Sequence, residues 1–376
     1  MNQSNLSDFA WRDLRRFQNV VSTSELLMEL HSVSEKHKAN AVKQAEQIRL
    51  CLSLAKEYFD AAQTVSLTTK PVLLYYSIMN LALAEVLFKQ TGESSLDFAR
   101  DQHRHHGLAF TVGEFKPNDD LTFSATKLVA EPMLRKANGT RFGTFELWHK
   151  TARQHPAIGR SDDATTGTNR LSPLTIPRTE TMPLINEKGI TLAYCLQRMP
   201  SLAGSVDPLG LPSEIVRASI RLDRTNEKEV RLTYLFHPYK PETIKRALDQ
   251  FSFPPALVPN VDIEERGTGA KVEFLFPAQS QYSVSLGDCY NWDEEQLFLH
   301  TKTEPLNEFG LFYVSLYILG NYARYFPDRW VKDIEMASPV CLIAEELVEK
   351  SAERFPVLAL SELRQSIIIA KTTRVW

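Results

Sequence analysis

The chain has 376 residues, 43% of them hydrophobic and 24% charged, so it can bury a core and is not a disordered polymer. A single core rarely grows past about 250–300 residues, so this length calls for two or three structural units. Lys and Arg total 43 against 46 Asp and Glu, a net charge of −3, which excludes a global basic field and leaves only local contacts for any nucleic acid.

Met1–Asp8 lacks the charged and apolar regions of a signal peptide. Cys51, Cys195, Cys289 and Cys341 are widely spread, with none of the clustering that structural zinc or a disulfide scaffold requires. The expectation is a cytoplasmic protein with no metal and no cofactor. Ser22 and Glu25 are spaced as a capping box that opens a short helix to about His31. A long helix is expected from about Glu35 to Val65, because Ile48, Leu52, Ala55 and Phe59 recur at helical spacing. Pro71 sits in the first turn of the next helix, about Lys70 to Gln90, where its missing N–H is harmless. That helix is apolar on nearly every side, and Asn80 and Glu85 within it argue for a buried core helix rather than a membrane span.

From His106 the texture changes. Phe110–Val112, Leu121–Phe123 and Phe142–Phe145 read as short β-prone pieces, and Ala157–Met182 as a long polar loop interrupting the pattern. A short helix near Thr191–Arg198 precedes strand-like runs at Ile215–Leu222, Val230–Phe236, Lys271–Phe276 and Tyr282–Leu286. A helix at Pro241–Phe251 and a proline-marked linker at 254–259 lie among these. Glu308–Tyr325 is a strongly aromatic helix that stops before Phe326-Pro327. Ser338-Pro339 opens another helix to about Glu353, and a last one starts near Leu360. The expected fold is α+β and mainly helical. A bundle is built from the N-terminal region 1–105 and the C-terminal helices 301–376, with a β-rich α+β region, 106–300, inserted between them.

Lys70–Ala82, His106-Gly107-Leu108 and Ala323-Arg324-Tyr325-Phe326-Pro327-Asp328-Arg329-Trp330 together resemble the signature of the YaaC-like family of bacterial proteins, in the family's order and across most of the chain. A second resemblance covers about the first 110 residues. Ala55–Ala62, Tyr75–Ala84 and His105–Leu108 are similar to HEPN domains, helical bundles that are often dimeric. Many HEPN proteins are metal-independent RNases of toxin or antiviral systems, using an Arg followed four to six residues later by His. By that likeness Arg100 with His105 or His106 is the catalytic pair, although the cluster follows the second helix rather than lying in a later one.

The residue types support the same chemistry directly. Arg100–Gly107 holds five groups able to carry positive charge: Arg100, His103, Arg104, His105 and His106. Cleaving RNA without a metal needs a base for the 2′-hydroxyl, an acid for the leaving oxygen and a cation on the phosphate. Histidine serves the first two near neutrality and arginine the third. About two such Arg–His spacings arise by chance in a chain of this composition, and a solvated helix end accounts for the cluster equally well. Arg324, Arg329 and Trp330 read either as a phosphate-contacting corner with a stacking surface, or as a helix end where Arg324 pairs Asp328 and Trp330 plugs the core. Arg217–Arg246 carries eight cations against four carboxylates, which reads as a solvated face or, alternatively, a nucleic-acid face. No phosphate-cradling, dinucleotide-binding, nucleophile-elbow or zinc-protease motif is present.

Two functions follow. One is a HEPN-like RNA-binding protein or metal-independent endoribonuclease in a toxin or antiphage-defence setting, contacting RNA but no membrane. The other is a non-catalytic interaction module whose Pro71–Phe88 and aromatic helices join a homodimer or a protein partner.

Overall fold

The structure is a computed structural model that describes residues 3–89, 103–152, 158–163, 168–173, 185, 188–224, 229–237, 262–266, 269–277, 283–285, 289–293, 296–300 and 306–365. Its helices are α1 (Gln3–Leu14), α2 (Val20–Leu30), α3 (Lys38–Ala62), α4 (Lys70–Lys89), α5 (Leu121–Thr126), α6 (Thr144–Thr151), α7 (Leu192–Gln197), α8 (Glu308–Tyr325), α9 (Pro327–Glu335) and α10 (Pro339–Arg364). Its strands are β1 (Leu108–Val112), β2 (Leu128–Pro132), β3 (Ile158–Asp163), β4 (Thr168–Pro173), β5 (Ile190–Thr191), β6 (Ile215–Arg224), β7 (Glu229–His237), β8 (Asp262–Arg266), β9 (Gly269–Pro277), β10 (Ser283–Ser285), β11 (Cys289–Asp293) and β12 (Gln296–His300). The fold is α+β and mainly helical. Two compact units divide it, the first drawn from Met1–Ala152, Thr181–Pro212 and Pro305–Ile368, the second from Arg153–Glu180, Ser213–Glu304 and Ile369–Trp376.

In the first unit both ends of the chain build one helical body. The apolar helix α4 lies against α3, α6, α8 and α10. Leu74, Ile78 and Leu81 are completely buried along it, and each such side chain removed from water contributes about 1.5–3 kcal/mol. Helix α4 is long and apolar enough to cross a membrane; in this unit its apolar surface is consumed by neighbouring helices. At Gly320 helix α8 comes so close that an added Cβ would stand 3.4 Å from Val72 Cα.

Polar groups inside the body are answered locally. Ser77 Oγ donates to Ala55 O at 2.7 Å, tying α4 to α3. Trp148 Nε1 of α6 donates to Glu85 at 2.9 Å, while Lys89 bridges Glu85 and Glu362 of α10. Burial raises the Glu85 carboxyl pKa, with Lys89 opposing the shift. Arg354 grips Glu308 with two bonds of 3.0 and 2.9 Å.

Helix α10 is continuous where the sequence suggests a break between Glu353 and Leu360, although Pro356 lies inside it. A mid-helix proline leaves the carbonyl four residues earlier without a donor. Here that carbonyl, Ala352 O, accepts from Ser7 Oγ of α1 at 3.0 Å.

Several local expectations change. Asn19 Oδ1, not Ser22, caps α2, accepting from Ser22 N at 3.1 Å. Leu121–Phe123 is helical because Asp120 caps it, accepting from Phe123 N at 2.7 Å. Phe142 and Gly143 lead into α6, and Thr144 and Phe145 already lie in its first turn rather than in a strand. The helix expected to stop before Pro327 does so, and Pro327 then starts α9. Strands β1, β2 and β5 form a small antiparallel sheet in this unit, with Phe110 opposite Ala130 and Ala130 opposite Ile190.

The second unit is sheet. Six antiparallel strands run in the order β11-β12-β6-β7-β9-β8, with Ile220 opposite Tyr234 and Tyr234 opposite Val272. Strands β3 and β4, within the stretch expected to be loop, pair with each other and β3 also with β10. The expected helix 241–251 and the proline linker lie outside the described residues.

Candidate functional site

The turn 105–107 is fixed before any side chain is considered. Its three successive carbonyls, of His105, His106 and Gly107, accept from Thr144 N at 2.8 Å, Phe145 N at 3.0 Å and Met133 N at 3.0 Å. Gly107 and Gly143 both take positive φ, +85° and +109°, and a Cβ on Gly143 would fall 2.2 Å from Gly107 Cα. The two turns therefore touch backbone to backbone, an approach that glycine alone permits.

So anchored, the His106 ring enters an aromatic cluster on α4 and α8. Its Nδ1 is hydrogen-bonded to Tyr75 Oη at 2.8 Å. The rings of Tyr75 and Tyr317 stand 5.5 and 6.0 Å away. Tyr317 Oη donates to Leu108 O at 2.6 Å, clamping β1 to α8. Two turns further along the same face of α8, Arg324 Nη1 donates to Tyr76 Oη at 3.2 Å and its guanidinium lies 5.1 Å from the Tyr325 ring. Tyr58 of α3 stacks on Tyr76 at 5.3 Å. Three helices and one turn thus build the surroundings of a half-buried imidazole, with Arg324 exposed at Tyr76 and Tyr325 exposed against Arg324.

Burial lowers the His106 pKa below its ordinary value, and the positive charges of Arg324 and His105 lower it further. The imidazole is therefore neutral near pH 7. Burial pushes the Tyr75 phenol well up, with neighbouring phenols adding to the effect, so it stays protonated. Among the described residues Nδ1 is the His106 ring nitrogen that makes a hydrogen bond. The arrangement offers a neutral base held at one nitrogen and a cation able to take an anionic oxygen.

The family model described as YaaC-like Protein matches residues 15–127 and 174–363, which includes every side chain of this cluster. The chain belongs to the YaaC-like family. No curated protein and no solved structure matches it.

The other residues singled out in this YaaC-like chain are placed as follows. Arg100 lies outside the described residues. His103 is half-buried and offers its carbonyl to Thr144 Oγ1 at 3.2 Å, while Arg104 and His105 are exposed. The His105 ring stands edge-on to Phe142 at 5.1 Å. Arg324 does not pair with Asp328; its bond goes to Tyr76, next to His106. Arg329 is half-buried, donating to Gly113 O at 3.0 Å and lying over Phe115 at 4.8 Å. Trp330 is fully buried, with Nε1 donating to Thr68 O at 3.2 Å, so its ring has no face open to a base. Asn80 donates to Tyr76 O at 2.8 Å within its own helix.

Sequence reasoning missed Tyr317 as a neighbour of the histidine cluster. The signal available was spacing: Tyr317 and Arg324 are seven residues apart, hence on one helix face. Among the described residues no group of three or more metal-ligating side chains is gathered.

Proposed function

We propose that this YaaC-like protein is an intracellular bacterial RNA-binding protein that cleaves RNA without a metal, in a toxin or antiphage-defence setting. The supporting observation is that Arg324 is bonded to Tyr76, whose ring stands 6.4 Å from that of His106, on a turn held by three backbone hydrogen bonds. In this reading neutral His106 accepts the 2′-hydroxyl proton as the 2′-oxygen attacks phosphorus. Arg324 takes a non-bridging phosphate oxygen. The P–O5′ bond breaks, exposed His105 serves as the acid that protonates the departing 5′-oxygen, and the products are a 2′,3′-cyclic phosphate and a 5′-hydroxyl. Exposed Tyr325, not buried Trp330, is the ring available for a base. The HEPN-like motif residues on α3 and α4 supply Tyr58, Tyr75 and Tyr76 to the same place.

The test is incubation of the full chain with end-labelled RNA in EDTA. Cleavage leaving cyclic phosphate ends is expected, with a loss of about 10²–10⁴-fold in His106→Ala, a comparable loss in Arg324→Ala, and retention in Trp330→Phe. Cleavage that survives His106→Ala, or none by the unaltered chain, overturns the proposal.

A second reading, self-association without catalysis, draws on exposed Val21 of α2 and Leu50 and Leu54 of α3, at 67%, 54% and 45% exposure. Sedimentation of a Leu50→Lys, Leu54→Lys double variant tests it: a dimer that dissociates supports this reading, and an unchanged monomer removes it.

A further inference from the structure

Away from the histidine turn, a cleft of about 350 Å³ opens between α3 and the segment formed by α1 and the 3-10 turn Arg15–Gln18. Small-molecule sites begin at about 300 Å³. Its apolar lining comes from Trp11, Leu14 and Leu52, all buried. Two cations and two carboxylates also line it. Lys56 Nζ binds both Asp60 oxygens, at 2.6 and 2.5 Å, so that pair neutralises itself.

Arg15 and Glu57 remain. Both are exposed, and neither has a polar partner among the described residues. The Trp11 indole N–H is buried and likewise lacks an acceptor, a deficit that costs about 1–3 kcal/mol. An apolar hollow flanked by one open cation and one open anion is complementary to a compact zwitterion carrying an apolar side chain. An ordinary anion would leave Glu57 opposed, and an ordinary cation would leave Arg15 opposed.

We propose that this cleft binds a free apolar α-amino acid, its carboxylate on Arg15, its ammonium on Glu57 and its side chain against Trp11, Leu14 and Leu52. The site is independent of RNA cleavage: it could fail while the His106 reading stands, and the reverse.

The experiment titrates the full chain with L-leucine by calorimetry, following the Trp11 indole ¹H–¹⁵N resonance in parallel. Two analogues separate the charges: 4-methylpentanoate lacks the ammonium and 3-methylbutylamine lacks the carboxylate. Leucine is expected to bind at least about tenfold more tightly than either, the coupling worth about 1.4 kcal/mol, and to shift the Trp11 indole resonance. Arg15→Gln is expected to weaken leucine at least tenfold without changing 3-methylbutylamine, and Glu57→Gln to weaken leucine without changing 4-methylpentanoate. Both substituted side chains are exposed, so the fold is retained. Equal binding of leucine and its analogues, or no binding of leucine at millimolar concentration, overturns the proposal.

Discussion

Gly143→Ala is the sharpest test of how the histidine turn is built. The added methyl would lie 2.2 Å from Gly107 Cα and 2.4 Å from Gly107 N, both main-chain atoms that no rotamer change can move. Holding an L-residue at positive φ costs about 1–2 kcal/mol. Forcing the two backbones apart adds about 1–3 kcal/mol, as overpacking does elsewhere. Gly139→Ala supplies the control, because Gly139 sits at φ +66° with nothing within 4 Å of the new methyl; it carries the first cost alone. In a unit this size each kcal/mol moves Tm by about 2–4 °C. Gly143→Ala is therefore expected to lower Tm by about 10 °C and Gly139→Ala by about 3 °C, measured by calorimetry at neutral pH. The His106 imidazole resonances should shift in the first variant and hold in the second. Unfolding free energies of the two variants within about 0.5 kcal/mol of each other would refute the close backbone approach, and with it the claim that the turn positions His106.

Three further outcomes are expected. Arg324→Gln should raise the His106 pKa toward its ordinary value, because one of the charges depressing it is gone while burial, the larger cause, remains; NMR titration reads this, and an unchanged value contradicts it. Since the folded-state pKa of His106 is lowered, its contribution to stability is full above about pH 6.5 and is lost as pH falls through the folded value. Urea midpoints should therefore drop on going from pH 7.5 to 5.5, by less in His106→Gln. Arg354→Met should cost about 3 kcal/mol in urea unfolding, by leaving the buried Glu308 carboxylate without its two-pronged partner; Glu308→Gln in the same background should recover part of that loss.

The long helices were legible because their apolar residues repeat over several turns and their ends carry distinct chemistry. Glu308–Tyr325 matches its expected limits, with Asn307 Oδ1 accepting from Gly310 N at 2.9 Å to start it and Pro327 ending it. Short elements carried no such redundancy. Leu121–Phe123 alternates like a strand, yet one cap from Asp120 is enough to turn six residues into a helix. The break expected in α10 depended on a proline whose cost is offset by a hydroxyl at residue 7, beyond any local window. The candidate site was legible in its members and not in its wiring. His106 and Arg324 each stood out as charged residues in a motif, but no periodicity says that residues 106 and 324 meet across Tyr76. That meeting is set by how α8 lies on α4, where Gly320 permits the approach.

The bond from Ser7 Oγ to Ala352 O joins residues 345 apart in the sequence. A hydroxyl on α1 therefore completes α10 only once the two helices have met across that separation. Until α8 and α10 dock, α4 exposes the apolar surface that they cover and α1 the surface that meets α10. Closure is thus a non-local step, slow because its loop-closure entropy is spent before the contacts reward it, and an intermediate that lacks it presents chaperones with a half-covered core.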